Sequence, residues 1–209
     1  MGNILPLTVR KPSKLGFKRV QKRKKSDPEG HGQMNLFKPT SDGAARILSL
    51  PSKVTPFEAA LGLDERGDHE AAAAYKKAIS IGDCVADAYC NLGIIESRTG
   101  KPEKAFDCFT KSLQEDSRHL ESHYNLGNLY FDMENFRLAR QHYEIAAEIE
   151  PDFPSIYFNL GLVLAVSEDL APAIEVLDKY KNLVPDEEGR LADELLDSLH
   201  RSLSTGSHN

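Results

Sequence analysis

Few residues of this 209-residue chain have the type and spacing needed for covalent chemistry or metal binding. His119 and His123 are four residues apart, but the sequence predicts a turn between them and offers no third ligand nearby, so we interpret them as surface histidines. Cys84, Cys90 and Cys108 contain no Cys-x-x-Cys pair. The sequence also has no glycine-rich phosphate loop, no serine-nucleophile elbow and no His-Glu-x-x-His motif. We therefore expect no enzymatic activity, no metal and no cofactor.

The same cysteines and the hydropathy of the chain predict its compartment. Three cysteines are an odd number, which is poor material for a set of disulfides and suits a reducing cytosol. No apolar run approaches the roughly 20 residues that a membrane helix needs. We expect a cytoplasmic protein that does not insert into a membrane.

Charge divides the chain into a basic N-terminal tail and an acidic body. Residues 1–25 carry nine basic residues and no acid, whereas residues 54–209 carry 14 basic and 29 acidic residues, a net charge of −15. The tail could be a solubilising leader, could bind nucleic acid or an anionic surface, or could fold back onto the acidic body. The candidate nucleic-acid contacts are Lys18, Arg19, Lys22, Arg23, Lys24 and Lys25.

The elements that would position these residues follow from a repeat of 34 residues. The triplet Asn-Leu-Gly occurs at 91–93, 125–127 and 159–161, and later in each unit come an alanine and a bulky residue. Apolar residues at helical spacing predict two helices per unit. A glycine inside a helix costs about 1 kcal/mol relative to alanine, so its recurrence indicates that paired helices cross closely, with glycine facing alanine and the bulky side chain alongside. The alanines are Ala105, Ala139 and Ala173, and the bulky residues are Phe109, Tyr143 and Leu177.

This pattern resembles the tetratricopeptide repeat family in its period, its Leu-Gly pair, its mid-unit alanine and the aromatic residue after it. The resemblance implies an all-α, right-handed α-solenoid over residues 54–203. Its repeats would cover 54–85 in degenerate form, then 86–119, 120–153 and 154–187, followed by a capping helix at 188–203. Leu191, Leu195, Leu196, Leu199 and Leu203 would form the apolar face of that cap. Residues 1–53 lack a helical stripe and are expected to be a disordered basic tail and linker, with a disordered C-terminus at 204–209.

The resemblance also implies that the first helix of each repeat lines a concave groove for an extended peptide or a partner helix. The groove has almost no cations, which disfavours the subtype that clamps C-terminal carboxylates. We predict that Asn91, Asn125 and Asn159 form a ladder that hydrogen-bonds the backbone of the ligand, the alternative being bonds within or between helices. The full set of candidate partner-binding residues is Asn91, Ile94, Tyr124, Asn125, Asn128, Phe131, Phe158, Asn159, Leu162 and Val166.

The sequence thus predicts a protein-protein interaction scaffold, with a nucleic-acid-associated adaptor that uses residues 10–25 as the alternative. The helix around 155–166 is apolar nearly all round, so a partner, the capping helix or a second copy must cover it. Residues 33–37, Gln-Met-Asn-Leu-Phe, are similar to the Gln-x-x-Leu-Phe peptide with which bacterial proteins dock on the DNA sliding clamp. Bacterial regulators with a tetratricopeptide domain have a related linker, but their helix-turn-helix segment is missing here.

Overall fold

The computed structural model describes residues 14–21 and 54–206. Within these ranges every regular element is helical. Four helix pairs occupy the positions of the four repeats. The helices are α1 (Pro56–Glu65), α2 (Ala71–Ser80), α3 (Val85–Arg98), α4 (Pro102–Glu115), α5 (Leu120–Asp132), α6 (Phe136–Ile149), α7 (Pro154–Val166) and α8 (Leu170–Leu183). The degenerate first repeat therefore forms a complete helix pair.

The helices begin and end at residues that stop or start a helix for local reasons. Proline occupies the first position of α1, α4 and α7, where a missing N–H costs nothing. Thr55 closes a capping box with Glu58 at the start of α1. After the first helix of each pair the backbone adopts a left-handed conformation, at Gly67, Gly100, Glu134 and Glu168. This conformation ends the helix and turns the chain into the second helix of the pair.

The glycine of each Asn-Leu-Gly triplet packs against the bulky residue of the second helix. A Cβ atom added at Gly93 would lie 2.7 Å from the Phe109 ring, one at Gly127 would lie 2.5 Å from the Tyr143 ring, and one at Gly161 would lie 2.6 Å from the Leu177 side chain. The predicted bulky side chain beside each glycine is present, and it is the nearest neighbour of the glycine. The contact of glycine with alanine stays a prediction. The glycine is needed because an aromatic or branched side chain fills the space above it.

The chain after α8 differs from the predicted capping helix at its start. Residues 186–192 form the short helix α9 (Asp186–Gly189) and one 3₁₀ turn, and the long helix α10 runs from Asp193 to Gly206. Leu195, Leu196 and Leu199 are buried against the last helix pair. Leu191, which precedes α10, is 47% exposed, and Leu203 near the end of α10 is 37% exposed, so the prediction that these two belong to the apolar face of the cap is wrong.

His119 and His123 are buried, so their interpretation as surface histidines is wrong. His119 occupies the N-cap of α5: its Nδ1 accepts from the Ser122 N–H at 3.2 Å and its Nε2 lies 2.9 Å from Asp87 Oδ1. His123 Nδ1 lies 3.0 Å from Nδ1 of His142, and its Nε2 lies 3.1 Å from a backbone carbonyl. Both side chains thus satisfy helix ends and neighbouring polar groups. In the described ranges no group of three or more histidine, cysteine, aspartate or glutamate side chains could hold a metal ion.

Residues 14–21, which the sequence places in the basic tail, form neither helix nor strand and lie across α3, α5 and α7. We call these eight residues the groove segment. Val20 is 1% exposed and belongs to the hydrophobic cluster of the first two repeats, and Leu15 packs against the cluster of the last two. None of the helices that the structure describes is both long enough and apolar enough to cross a bilayer.

Candidate peptide-binding groove

The groove is lined by the first helices of the second, third and fourth repeats. The helices α3, α5 and α7 each carry one Asn-Leu-Gly triplet, and consecutive members of this set contact one another. Because the triplets occupy equivalent positions, their asparagines line up across the three helices. All three asparagines are fully buried beneath the groove segment.

Each ladder asparagine bonds both backbone groups of one residue in the groove segment. Asn159 Oδ1 accepts from the Leu15 N–H at 2.7 Å, and Asn159 Nδ2 donates to the Leu15 carbonyl at 3.0 Å. Asn125 makes the same pair of bonds with Lys18, both at 2.8 Å. Asn91 repeats the arrangement with Val20, at 2.8 Å and 3.1 Å. The groove segment therefore runs from α7 to α3, opposite to the order of the repeats.

The asparagines also bond side chains of the solenoid, as in the alternative interpretation. Asn91 Nδ2 donates to the Tyr75 hydroxyl at 3.1 Å, and Asn159 Nδ2 lies 2.9 Å from the Tyr124 hydroxyl and 2.7 Å from Asn128 Oδ1. Asn125 Nδ2 lies 3.4 Å from the sulfur of Cys90. These second contacts hold each amide in one orientation, so that Oδ1 and Nδ2 stay aligned with the segment. Each of the three asparagines thus bonds both to the groove segment and to side chains of the solenoid.

Tyr124 adds a donor between two rungs of the ladder. Its hydroxyl donates to the carbonyls of Leu15 and Gly16, at 3.1 Å and 3.2 Å. Burial raises the pKa of Tyr124 above its ordinary value, so the hydroxyl remains a protonated donor. Burial raises the pKa of Cys90 in the same way, to about 12, which keeps this thiol protonated and unreactive.

The other predicted groove residues lie at three depths. Ile94, Phe158 and Leu162 are buried in the hydrophobic clusters, and the Phe158 ring packs against Tyr180 of α8. Asn128 accepts from the Tyr143 hydroxyl at 2.6 Å, whereas Phe131 is half-buried against Phe136. Val166 is 45% exposed. Most of the apolar surface of α7 is thus covered by the chain itself.

Two cations of the groove segment pair with acids of the solenoid. Lys14 Nζ lies 3.2 Å from Asp132 Oδ1, and two guanidinium nitrogens of Arg19 lie 2.7 Å and 2.9 Å from the carboxylate oxygens of Asp64. Lys18 extends its ammonium over the ring of Phe153, 5.6 Å from the centroid. Of the candidate nucleic-acid contacts, Lys18 and Arg19 therefore face the solenoid, and those at 22–25 lie outside the described residues, as do residues 33–37.

The sequence offers folding of the tail onto the acidic body as one alternative, but it locates neither the groove segment nor the Asp64 end of the groove. Leu15 and Val20 carry no periodic signal because the segment is extended and only eight residues long. Asp64 and Tyr75 lie in the degenerate first repeat, where the groove was not expected to continue. The signal that could have found them is the opposite charge of the tail and the body, which was noted without locating the contact.

Comparisons with known proteins agree with this architecture. Family models described as "TPR repeat" and "Tetratricopeptide repeat" match residues 127–165 and 86–119. The type IV pilus assembly protein PilF of Pseudomonas aeruginosa is 29% identical over 126 residues, which are 59% of this chain and 50% of PilF. The chain therefore spans about half the length of the curated relative that it matches.

Solved structures are similar to this chain over 57% to 72% of its length. The structure of P. aeruginosa PilF matches with a TM-score of 0.63 and 26% identity, over 71% of this chain and 68% of that chain. The first TPR of Spaghetti bound to an HSP90 peptide matches with a TM-score of 0.54 and 21% identity, over 57% of this chain and 93% of that chain. A crystal structure of MamA matches with a TM-score of 0.54 and 19% identity, over 72% of this chain and 97% of that chain. The chain thus contains tetratricopeptide repeats at 86–119 and 127–165, and in its 34-residue register and its fold it is similar to these relatives.

Proposed function

We propose that this protein is an interaction module whose groove binds an extended peptide by its backbone. The observation that carries the proposal is the ladder of Asn91, Asn125 and Asn159, each bonded to both the N–H and the C=O of one residue in an extended segment. An asparagine amide offers one donor and one acceptor, which matches a peptide unit and does not depend on its side chain. Six such bonds, each worth roughly 1 kcal/mol net, would offset part of the cost of holding a short peptide in the groove.

The groove segment is the chain's own occupant, and a partner peptide would replace it. The 33 residues between Val20 and Val54 would span about 30 Å as a random coil, which gives a tethered segment an effective concentration in the millimolar range. A free peptide therefore binds well only when the groove segment is weakened or when its own contacts are better. Occupation by the chain itself is compatible with a regulated interaction module.

The fold of a relative supports a peptide ligand in general terms. The Spaghetti domain with which this chain shares its fold was solved with an HSP90 peptide. PilF is named for pilus assembly, but this chain spans only half of it, so that role is not carried over to the chain. The cytoplasmic location remains part of the proposal, and it suits Cys84, Cys90 and Cys108, which form no disulfide with one another.

The alternative of nucleic-acid binding through residues 10–25 draws no support from the described part of the tail. Lys14 and Arg19 are neutralised by Asp132 and Asp64, and Lys18 lies over an aromatic ring of the groove. Phosphate contacts would have to compete with these pairs. We therefore favour peptide binding.

The test uses the full chain with its own segment weakened. Val20→Asp places a charge at a buried position, so the segment should leave the groove while α1–α10 stay folded. A fluorescently labelled peptide of residues 11–22 should then bind in an anisotropy titration, at least tenfold tighter than it binds the unaltered chain. Adding Asn91→Ala, Asn125→Ala and Asn159→Ala should abolish binding, whereas the exposed Asn182→Ala on α8 should not. Failure of the folded Val20→Asp chain to bind the peptide would overturn the proposal.

A further inference from the structure

We propose that Asp64 forms an arginine-selective subsite at the α1 end of the groove. The inference rests on the proposed function and names the ligand more closely: an extended basic segment with arginine directly before an apolar residue. In the groove segment these two positions are Arg19 and Val20. The subsite lies in the first, degenerate repeat, beyond the asparagine ladder.

Asp64 is a carboxylate that the fold leaves in need of a cation. It lies on α1 and is only 6% exposed, and the Tyr75 hydroxyl donates to its Oδ2 at 3.3 Å. The nearest solenoid cation in this cluster is Arg98, whose Nη1 is 3.7 Å from Oδ1, too far for a hydrogen bond. Without Arg19, this buried carboxylate would keep one long neutral hydrogen bond and a long ion pair with the half-exposed Arg98, which compensate it poorly. Arg19 supplies the close cation.

The contact with Arg19 has the geometry that distinguishes arginine from lysine. Arg19 Nη2 donates to Asp64 Oδ1 at 2.9 Å, whereas Arg19 Nε lies 2.7 Å from Oδ2 as an ion pair without a hydrogen bond, so one flat group places a nitrogen beside each carboxylate oxygen. A lysine ammonium is a single nitrogen, so it cannot place one nitrogen beside each of the two carboxylate oxygens. We therefore expect lysine to be a poor substitute at this position.

The subsite is connected to the ladder, which fixes its register. Tyr75 donates to Asp64 and accepts from Asn91 Nδ2 at 3.1 Å, while Asn91 holds the backbone of Val20. The residue next to the backbone rung is therefore the one whose side chain reaches Asp64. Val20 itself fills the pocket of the first two repeats, in the same hydrophobic cluster as Phe57 and Leu61. The arginine and the apolar residue after it are therefore bound at adjacent sites, at the C-terminal end of the groove segment.

The experiment compares peptides on one receptor, the full Val20→Asp chain. Labelled peptides of residues 11–22 are prepared unaltered, with Arg19→Lys, with Arg19→Gln and with Lys18→Gln. We expect both Arg19 changes to weaken binding at least tenfold in anisotropy titrations. The Lys18→Gln peptide is the matched control because it loses the same charge one residue away, and we expect less than a threefold change. None of these peptides alters the fold of the receptor.

The receptor is then changed at the carboxylate. Asp64→Asn, checked for helicity by circular dichroism, should bind the unaltered and the Arg19→Gln peptides equally. If all four peptides bind the original receptor with the same affinity, the arginine subsite is wrong and backbone recognition stands. If the unaltered peptide does not bind at all, the proposed function fails and the inference with it. The inference would also be overturned if the Lys18→Gln peptide lost affinity while the two Arg19 peptides did not.

Discussion

Gly127 illustrates how a single residue fixes the packing of a repeat. A Cβ atom added at Gly127 would lie 2.5 Å from the ring of Tyr143, on the second helix of the same pair, and Tyr143 is fully buried. A tyrosine in a packed core cannot move away without displacing its neighbours. The same arrangement at Gly93 and Gly161 accounts for the recurrence of glycine inside α3 and α7.

We predict that Gly127→Ala destabilises the protein by about 1–3 kcal/mol, because the new methyl group would approach the Tyr143 ring to 2.5 Å. Gly62→Ala on α1 is the control, since its methyl group would meet only the end of the Arg66 side chain at 3.6 Å. This second change should be neutral or stabilising by up to about 1 kcal/mol, the helix-propensity gain. Urea unfolding followed by circular dichroism measures both. A Gly127→Ala variant as stable as the unaltered protein would contradict the packing argument.

The pair His123 and His142 gives the fold a pH dependence. Burial and then the neighbouring His123 lower the pKa of His142 to about 4, and burial is also the main reason that the pKa of His123 is lowered. The rings lie Nδ1 to Nδ1 at 3.0 Å, so at least one must be neutral, and Tyr130 stacks on the other face of His142. Protonation of the folded pair is therefore unfavourable.

We expect the free energy of unfolding to fall as the pH drops from about 6.5 to 4. In that window the unfolded chain takes up a proton at His142 and the folded chain does not, so stability rises with pH. The contribution should be about 1–2 kcal/mol, allowing for the partly exposed ring. His142→Asn should flatten the pH profile measured by urea unfolding, while the exposed His200→Asn should leave it unchanged. A profile that keeps its slope in His142→Asn would exclude this pair as the cause.

At the scale of elements, the turn inside each helix pair is built from one left-handed residue. The four positions lie at 67, 100, 134 and 168, close to the repeat period, but only the first two are glycine. Glu134 and Glu168 adopt φ values of 57° and 62°, which glycine adopts without strain. The repeat tolerates this strain because the helices on both sides determine the turn.

We predict that Glu134→Gly stabilises the protein by about 0.5–1 kcal/mol, since it relieves the strain of a side chain at positive φ. Glu148→Gly is the control, because Glu148 lies exposed within α6, where glycine should cost about 1 kcal/mol. Thermal unfolding of the two variants should shift in opposite directions. Destabilisation by Glu134→Gly would mean that the glutamate side chain matters more than the backbone.

The helices could be predicted from the sequence and the groove segment could not, for one physical reason. Repeat helices bury one face, so apolar residues recur at helical spacing and the whole unit recurs after 34 residues. The groove segment gains its order from asparagines that lie more than 70 positions away, and such bonds leave no pattern in the residues from Lys14 to Gln21. The ladder itself was predictable because three asparagines at equal spacing must share a face. Its role as a partner-binding site remains a prediction.

At the scale of the whole molecule, the central question is whether the groove segment belongs to the same chain or to a second copy. The acidic body attracts any basic segment, and the 33 residues up to Val54 are long enough for either arrangement. A tethered segment benefits from a millimolar effective concentration, which an exchanged segment would lack at micromolar protein. Occupation within one chain is therefore favoured.

We predict that occupation of the groove does not depend on protein concentration in the intact chain. The sequence has no tryptophan, so Phe17→Trp introduces a single reporter at a half-buried position beside Phe109. Its emission should remain blue-shifted from micromolar to nanomolar protein. The linker sets the effective concentration of the segment at the groove, and this concentration does not change when the protein is diluted. A protease site inserted between residues 26 and 53 provides the control: after cleavage the same dilution should red-shift the emission as the fragment dissociates. A red shift on dilution of the uncut chain would show instead that two copies exchange their segments, since only an intermolecular contact is lost by dilution while the chain is whole.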